Sequence, residues 1–170
     1  MDTPTLDRVP LAQDARPATW QNFDPEISEY FRWHEATDSL TADRLGIKNT
    51  PPDEVSETIY LTAQRMDRVR RLLGGPVIVT SWYRSLTVNR AVGSADTSQH
   101  IQGCAVDFRC PSYGTPRQVF EYLRALRIDL GIDQLILERP DRPRPWVHVS
   151  FTETPRHQAL VIDDNGTRFA

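Results

Sequence analysis

The segment spanning residues 53–73 constrains this chain most. Val55, Ile59, Ala63, Met66, Val69 and Leu73 recur at spacings of three and four, which aligns them on one face of an α-helix and demands an apolar surface to receive it. Thr50 is placed to cap this helix and Pro51 suits its first position. Acidic Asp53, Glu54 and Glu57 sit at one end and basic Arg68, Arg70 and Arg71 at the other, as the helix dipole favours. Gly74-Gly75-Pro76 stops it. The β-branched run at 77–80 then reads as a buried strand, and residues 104–108 read as a second. Thr115-Pro116 opens another helix, with Val119, Phe120, Leu123 and Leu126 on one face, ending before Gly131. Residues 134–138 and 146–151 read as two strands joined by the Pro/Arg-rich loop 139–145, and 159–162 as a last strand before the turn Asp164-Asn165-Gly166. Helices first, then strands with one helix among them, indicate a single α+β domain over residues 23–170. Residues 1–22 read as a loosely ordered arm anchored by Trp20 and Phe23.

A chain of 170 residues is long enough to bury a substantial core in one domain. Its 20 Lys+Arg against 23 Asp+Glu leave a formal charge of −3, so no strong basic field exists to hold nucleic acid or an anionic membrane. Two cysteines cannot build a disulfide framework. Met1 to Asn22 holds Asp2, Asp7 and Asp14 and no apolar run of signal-peptide length, and no transmembrane stretch follows. The expectation is a soluble monomer made in the cytoplasm, with no membrane insertion. An extracellular target would then be met after lysis or by carriage on a virion.

Reactive side chains concentrate in three places. The first is Ser81-Trp82-Tyr83-Arg84-Ser85; the second is Ser98-Gln99-His100-Ile101-Gln102-Gly103-Cys104-Ala105-Val106-Asp107; the third is Trp146-Val147-His148-Val149-Ser150. Two histidines and an aspartate from separate segments supply the three ligands of a catalytic zinc, with the fourth position left to water that can ionise near neutral pH. Asp107 lies inside an apolar strand, where a carboxylate needs a cation or hydrogen-bond donors.

The pattern Ser-x-His-x-x-Gly-x-Ala-x-Asp, preceded by Tyr-Arg-Ser and followed by Trp-Val-His-Val, resembles the zinc D-Ala-D-Ala carboxypeptidase family. The stretch Asn49-Thr50-Pro51-Pro52 also resembles members found in phages and prophages. The resemblance covers roughly residues 23–151. It implies a hedgehog-type fold, with N-terminal helices packed on a small, mostly antiparallel sheet that carries the metal site. It further implies a zinc-dependent hydrolase, of carboxypeptidase or endolysin type, acting on peptide bonds of D-amino acids in peptidoglycan stem peptides, either in the wall after lysis or virion delivery or on recycled wall peptides in the cytoplasm. By the same resemblance His100, Asp107 and His148 are the zinc ligands, Arg84 steadies the polarised scissile carbonyl, and Ser98 lies near the substrate's terminal carboxylate.

One position departs from the family. Many members carry the acidic general base three residues before the second histidine, and Pro145 stands there. A hairpin register with Glu138 opposite Trp146 would put Ile136 opposite His148 and all four side chains on one sheet face. Glu138 would then lie diagonal to His148, at about 7–8 Å between backbones, within reach of a water at the metal. A register offset by an odd number would turn it away. Glu138 is therefore the expected replacement base, with Asp141 as the weaker candidate. The alternative is a zinc-binding module for wall recognition or virion structure that has lost catalysis.

Other residues carry paired readings. Arg84 could instead pair with an acid such as Asp96, and Ser98 could serve only to hydrogen-bond its own loop. Cys104 and Cys110 read as small buried hydrophobes. Trp33, Trp82 and Trp146 either line a substrate groove, Trp146 as a substrate-binding residue, or pack in the core. His34 and His157 read as surface or packing residues.

Overall fold

The structure, a computed structural model, describes residues 24–170; the expected N-terminal arm, with Trp20 and Phe23, lies outside the described residues. Among the described residues five helices and six strands follow one another in this order: α1 (Trp33–Thr37), α2 (Leu40–Leu45), α3 (Asp53–Leu73), β1 (Ile78–Ser81), α4 (Leu86–Ala91), β2 (Ala105–Arg109), α5 (Pro116–Leu126), β3 (Gln134–Glu138), β4 (Trp146–Ser150), β5 (Gln158–Asp163) and β6 (Gly166–Phe169). The strands form one sheet in the order β1-β2-β4-β3-β5-β6. Only β3 and β5 run parallel; the other neighbours are antiparallel. This is the α+β architecture expected, with helices packed against a mostly antiparallel sheet.

The two faces of the sheet differ in chemistry because side chains alternate along each strand. Val106, Phe108, Val147, Val149, Leu135, Leu137, Ala159 and Val161 point one way and join Ile59, Ala63, Met66, Val69 and Leu73 of α3 and Val119, Phe120 and Leu123 of α5 in one apolar cluster. The periodic stripe of α3 is thus buried as its spacing requires. The opposite face carries Asp107, His148, Ile136, Glu138 and Trp146.

Some local expectations are corrected. Helix α3 starts at Asp53 with Pro52 at the N-cap and no side-chain cap, so neither Thr50 nor Pro51 takes the position expected. At its other end Gly74 adopts a left-handed conformation that terminates the helix, as the glycine predicts. Strand β1 spans Ile78–Ser81 and is an edge strand with Ile78 52 % exposed, so the β-branched run is only partly covered. Helix α5, by contrast, begins as expected, with Thr115 and Gln118 forming a capping box, and ends at Leu126, before Gly131 as expected. Strand β6 and the short helices α1, α2 and α4 carry too little periodicity to be read from the sequence.

The segment before α1 is fastened to α3 by a buried carboxylate. Asp67 accepts hydrogen bonds from Ser28 Oγ at 2.9 Å, Glu29 N at 3.1 Å and Tyr30 N at 3.2 Å. Replacing Asp67 by Ala strands those donors, and the expected cost is about 2–3 kcal/mol of folding stability. Urea unfolding of Asp67→Ala checks this.

Candidate metal centre

The strand registers bring the site together. Asp107 in β2 stands directly opposite His148 in β4, and His148 opposite Ile136 in β3. Glu138 pairs with Trp146, which is the register that places it diagonal to His148 on the same face. On the outer side of β2 a β-bulge between Val79 and Ser81 inserts Thr80 as an extra residue, so that Ser81 opposes Asp107. Ser81 Oγ in turn accepts from Arg84 Nε at 2.8 Å.

His100 is the one member of the trio on a loop. The segment after β1 holds that loop at three points: Trp82 indole N–H donates to Gly103 O at 2.8 Å, Arg84 N to His100 O at 3.1 Å, and His100 Nδ1 meets Trp82 O at 2.6 Å. The last contact puts the ring proton on Nδ1 and leaves the Nε2 lone pair facing the site. Gly103 closes the loop with φ +73°, and a Cβ there would lie 2.8 Å from Ile59 Cγ1, so the motif glycine lets the loop lie directly on α3.

Three acceptor-type atoms then converge. His148 Nδ1 lies 2.9 Å from Asp107 Oδ1, His100 Nε2 lies 3.3 Å from the same oxygen, and the two ring nitrogens are 3.3 Å apart. Tetrahedral ligands at 2.0–2.1 Å from a metal stand about 3.3 Å from each other, so the spacing and the N, N, O donor set fit one. All three residues are buried, and among the described residues they are the group able to hold a metal ion. Electrostatics agree. Burial, the largest influence, pushes the His100 pKa down, against the charge of Asp107, which raises it. Burial opposes ionisation of Asp107, but the flanking His100 and His148 hold its carboxyl well below the ordinary carboxylate range.

Arg84 donates from a terminal nitrogen to Asp107 Oδ2 at 2.7 Å and reaches Ser94 Oγ at 3.3 Å. Asp96, the partner weighed for it from sequence, is taken by Arg90 at 2.5 Å. Arg84 thus leaves Asp107 Oδ1 to the two imidazoles and keeps two of its five N–H groups without a protein partner among the described residues. Glu138 is half-buried; burial first, then the charge of Asp107, raise its carboxyl pKa above the usual value.

The remaining sequence candidates separate. Ser98 Oγ accepts from His100 N at 3.4 Å, a bond within its own loop. Trp146 lies half-buried on the site face with the Arg139 guanidinium 5.7 Å from its ring centre. Trp82 is 1 % exposed and belongs to the core, so it lines no groove, and Trp33 packs against Tyr60. Asp141 is exposed in the loop, and Pro145 accepts from Arg109 Nε through its carbonyl at 2.8 Å. Cys104 and Cys110 are buried and unpaired with each other, and burial pushes the Cys104 thiol up to about 11, far from a thiolate ligand. His34 is exposed beside Asp24, and His157 Nδ1 meets Ile132 O at 2.9 Å. Sequence reading missed Asp133, which holds both Gln99 and Arg156. Nothing local marks it, because its partners lie 34 and 23 residues away.

A family model described as Peptidase M15 matches residues 29–150, a span that includes Arg84, Ser98, His100, Asp107, Glu138, Trp146 and His148. A search of curated proteins finds no match.

A metal that binds only the folded chain must stabilise it. Free zinc at about one hundred times its dissociation constant is expected to add about 2.7 kcal/mol, seen as a raised unfolding midpoint. His148→Ala is expected to abolish that increment, which thermal unfolding with and without zinc measures.

Proposed function

This chain belongs to the peptidase M15 family, and from that premise we propose that it is a zinc-dependent peptidase cleaving bonds of D-amino acids in peptidoglycan stem peptides. The observation that carries the reading is the convergence of three side chains able to hold a metal, Asp107 and His148 from paired strands and His100 from a loop, with Arg84 bonded to Asp107 and with Glu138 on the strand face of His148. His100, Asp107 and His148 hold the ion. When bound, a divalent metal supplies Lewis acidity, which polarises a carbonyl and makes water easier to deprotonate.

The rest is done by the chain's own groups. Arg84 is fixed by Ser81, Ser94 and Asp107, and its free N–H groups meet the carbonyl oxygen as negative charge develops there. Glu138 accepts the proton of the attacking water at its carboxylate and delivers it to the leaving amine nitrogen. Its half-buried position suits both tasks, since a raised carboxyl pKa makes it a better base when ionised and a usable acid afterwards. Glu138 thereby replaces the carboxylate that relatives carry where this chain has Pro145. Trp146 lies next to Glu138 and offers an apolar wall for a peptide, while Ser98 contributes to substrate binding from the edge of the His100 loop.

Zinc-loaded protein incubated with purified muropeptides is expected to release new amino groups or free D-Ala. Absence of cleavage by metal-replete protein across a range of muropeptides would favour the non-catalytic module. Glu138→Gln is expected to retain its zinc and lose about 10²–10⁴-fold in turnover. Near-normal turnover of that variant contradicts the assignment of Glu138.

A further inference from the structure

Asp133 is a buried carboxylate that the reaction above does not use. It lies just before β3 with a side chain only 1 % exposed. Its main chain is built into the sheet: Asp133 N donates to Ser150 O at 2.8 Å and Gln158 N donates to Asp133 O at 2.9 Å. Its carboxylate is gripped by Arg156, whose backbone N and Nε both donate to Oδ1, at 2.8 and 2.9 Å, while a terminal nitrogen donates to Oδ2. A two-pronged arginine of this kind fixes a carboxylate in orientation as well as in charge. Arg156 holds the carboxyl of Asp133 down to about 2 despite burial, so it stays ionised at neutral pH.

The remaining contact leads to the metal centre. Gln99 Nε2 donates to Asp133 Oδ2 at 2.9 Å, and Gln99 is joined by one peptide bond to His100. Asp107 and His148 sit in paired strands, so the ladder fixes their backbones. His100 has no ladder. Its loop is held on the β1 side by Trp82 and Arg84, and on the β3 side by the bond from Gln99 to Asp133. A shift of that loop by a fraction of an ångström would move the third ligand relative to two rigid ones, and partners that orient ligands in this way carry much of a site's affinity.

We propose that Asp133, oriented by Arg156, is a positioning residue that sets His100 through Gln99 and thereby tunes metal affinity from outside the ligand set. The proposal rests on reading His100, Asp107 and His148 as the metal ligands. Its test is zinc affinity, measured by competition with a chromogenic chelator, alongside thermal unfolding of the metal-free proteins. Gln99→Met keeps the side chain's length, removes its donor and leaves the Asp133–Arg156 pair intact. It is expected to bind zinc about 10-fold more weakly with an unfolding midpoint close to wild type. Gln99→Glu sets two carboxylates against each other and is expected to weaken binding further. Adding Asp133→Asn to Gln99→Glu restores an amide–carboxylate bond with the roles exchanged, and is expected to regain affinity over Gln99→Glu alone. Wild-type affinity in both Gln99 single variants, or a double variant weaker than Gln99→Glu, would overturn the proposal. Failure of the wild-type protein to take up zinc at all would overturn the metal-site reading beneath it.

Discussion

A carboxylate in the middle of an apolar strand has to be answered by charge or by donors, and much of this molecule is arranged around that demand. Asp107 is buried between Val106 and Phe108, whose side chains point into the core on the other face. Arg84 answers one oxygen and two imidazoles converge on the other. Replacing these polar contacts by apolar packing would stabilise a fold of this kind at least as well. The proposed function gives this costly cluster a role, because its N, N, O donor set is one that can hold a metal ion.

Three independent devices deliver the partners. The bulge in β1 brings Ser81 opposite Asp107 and supports Arg84. The antiparallel pairing of β2 with β4 brings His148 across from the aspartate. The loop before β2 lies down on α3 at Gly103 and carries His100 inward. The long amphipathic helix that organises the core thus also supports the loop that carries His100. The β3–β4 hairpin then adds Glu138 two residues along the same face, at the end of the site away from Asp133.

The parts legible in the sequence are those written in local periodicity or in a family motif. Helix α3 was legible because six apolar residues repeat over 21 positions, whereas the β3–β4 register was open between two parities until the structure paired Glu138 with Trp146. His100, Asp107 and His148 were singled out by the family resemblance, and the structure brings the three together. Burial of β1 was misjudged because a β-branched run does not reveal whether a strand has neighbours on both sides, and β1 has one. The partner of Arg84 was missed because Asp96 is near in sequence while Asp107 is near in space. The Asp133–Arg156–Gln99 network joins three segments through side-chain bonds alone, and such bonds leave no periodic trace.

The central claim is that two imidazoles and one carboxylate hold the ion, with the thiol of Cys104, in the same sequence motif, left out. Zinc K-edge X-ray absorption on the protein loaded with one equivalent of metal tests this most directly. The account predicts a first shell of nitrogen and oxygen at about 2.0–2.1 Å with two imidazole scattering patterns and a total of about four ligands. A sulfur contribution at about 2.3 Å, or a shell of oxygen alone, would contradict it.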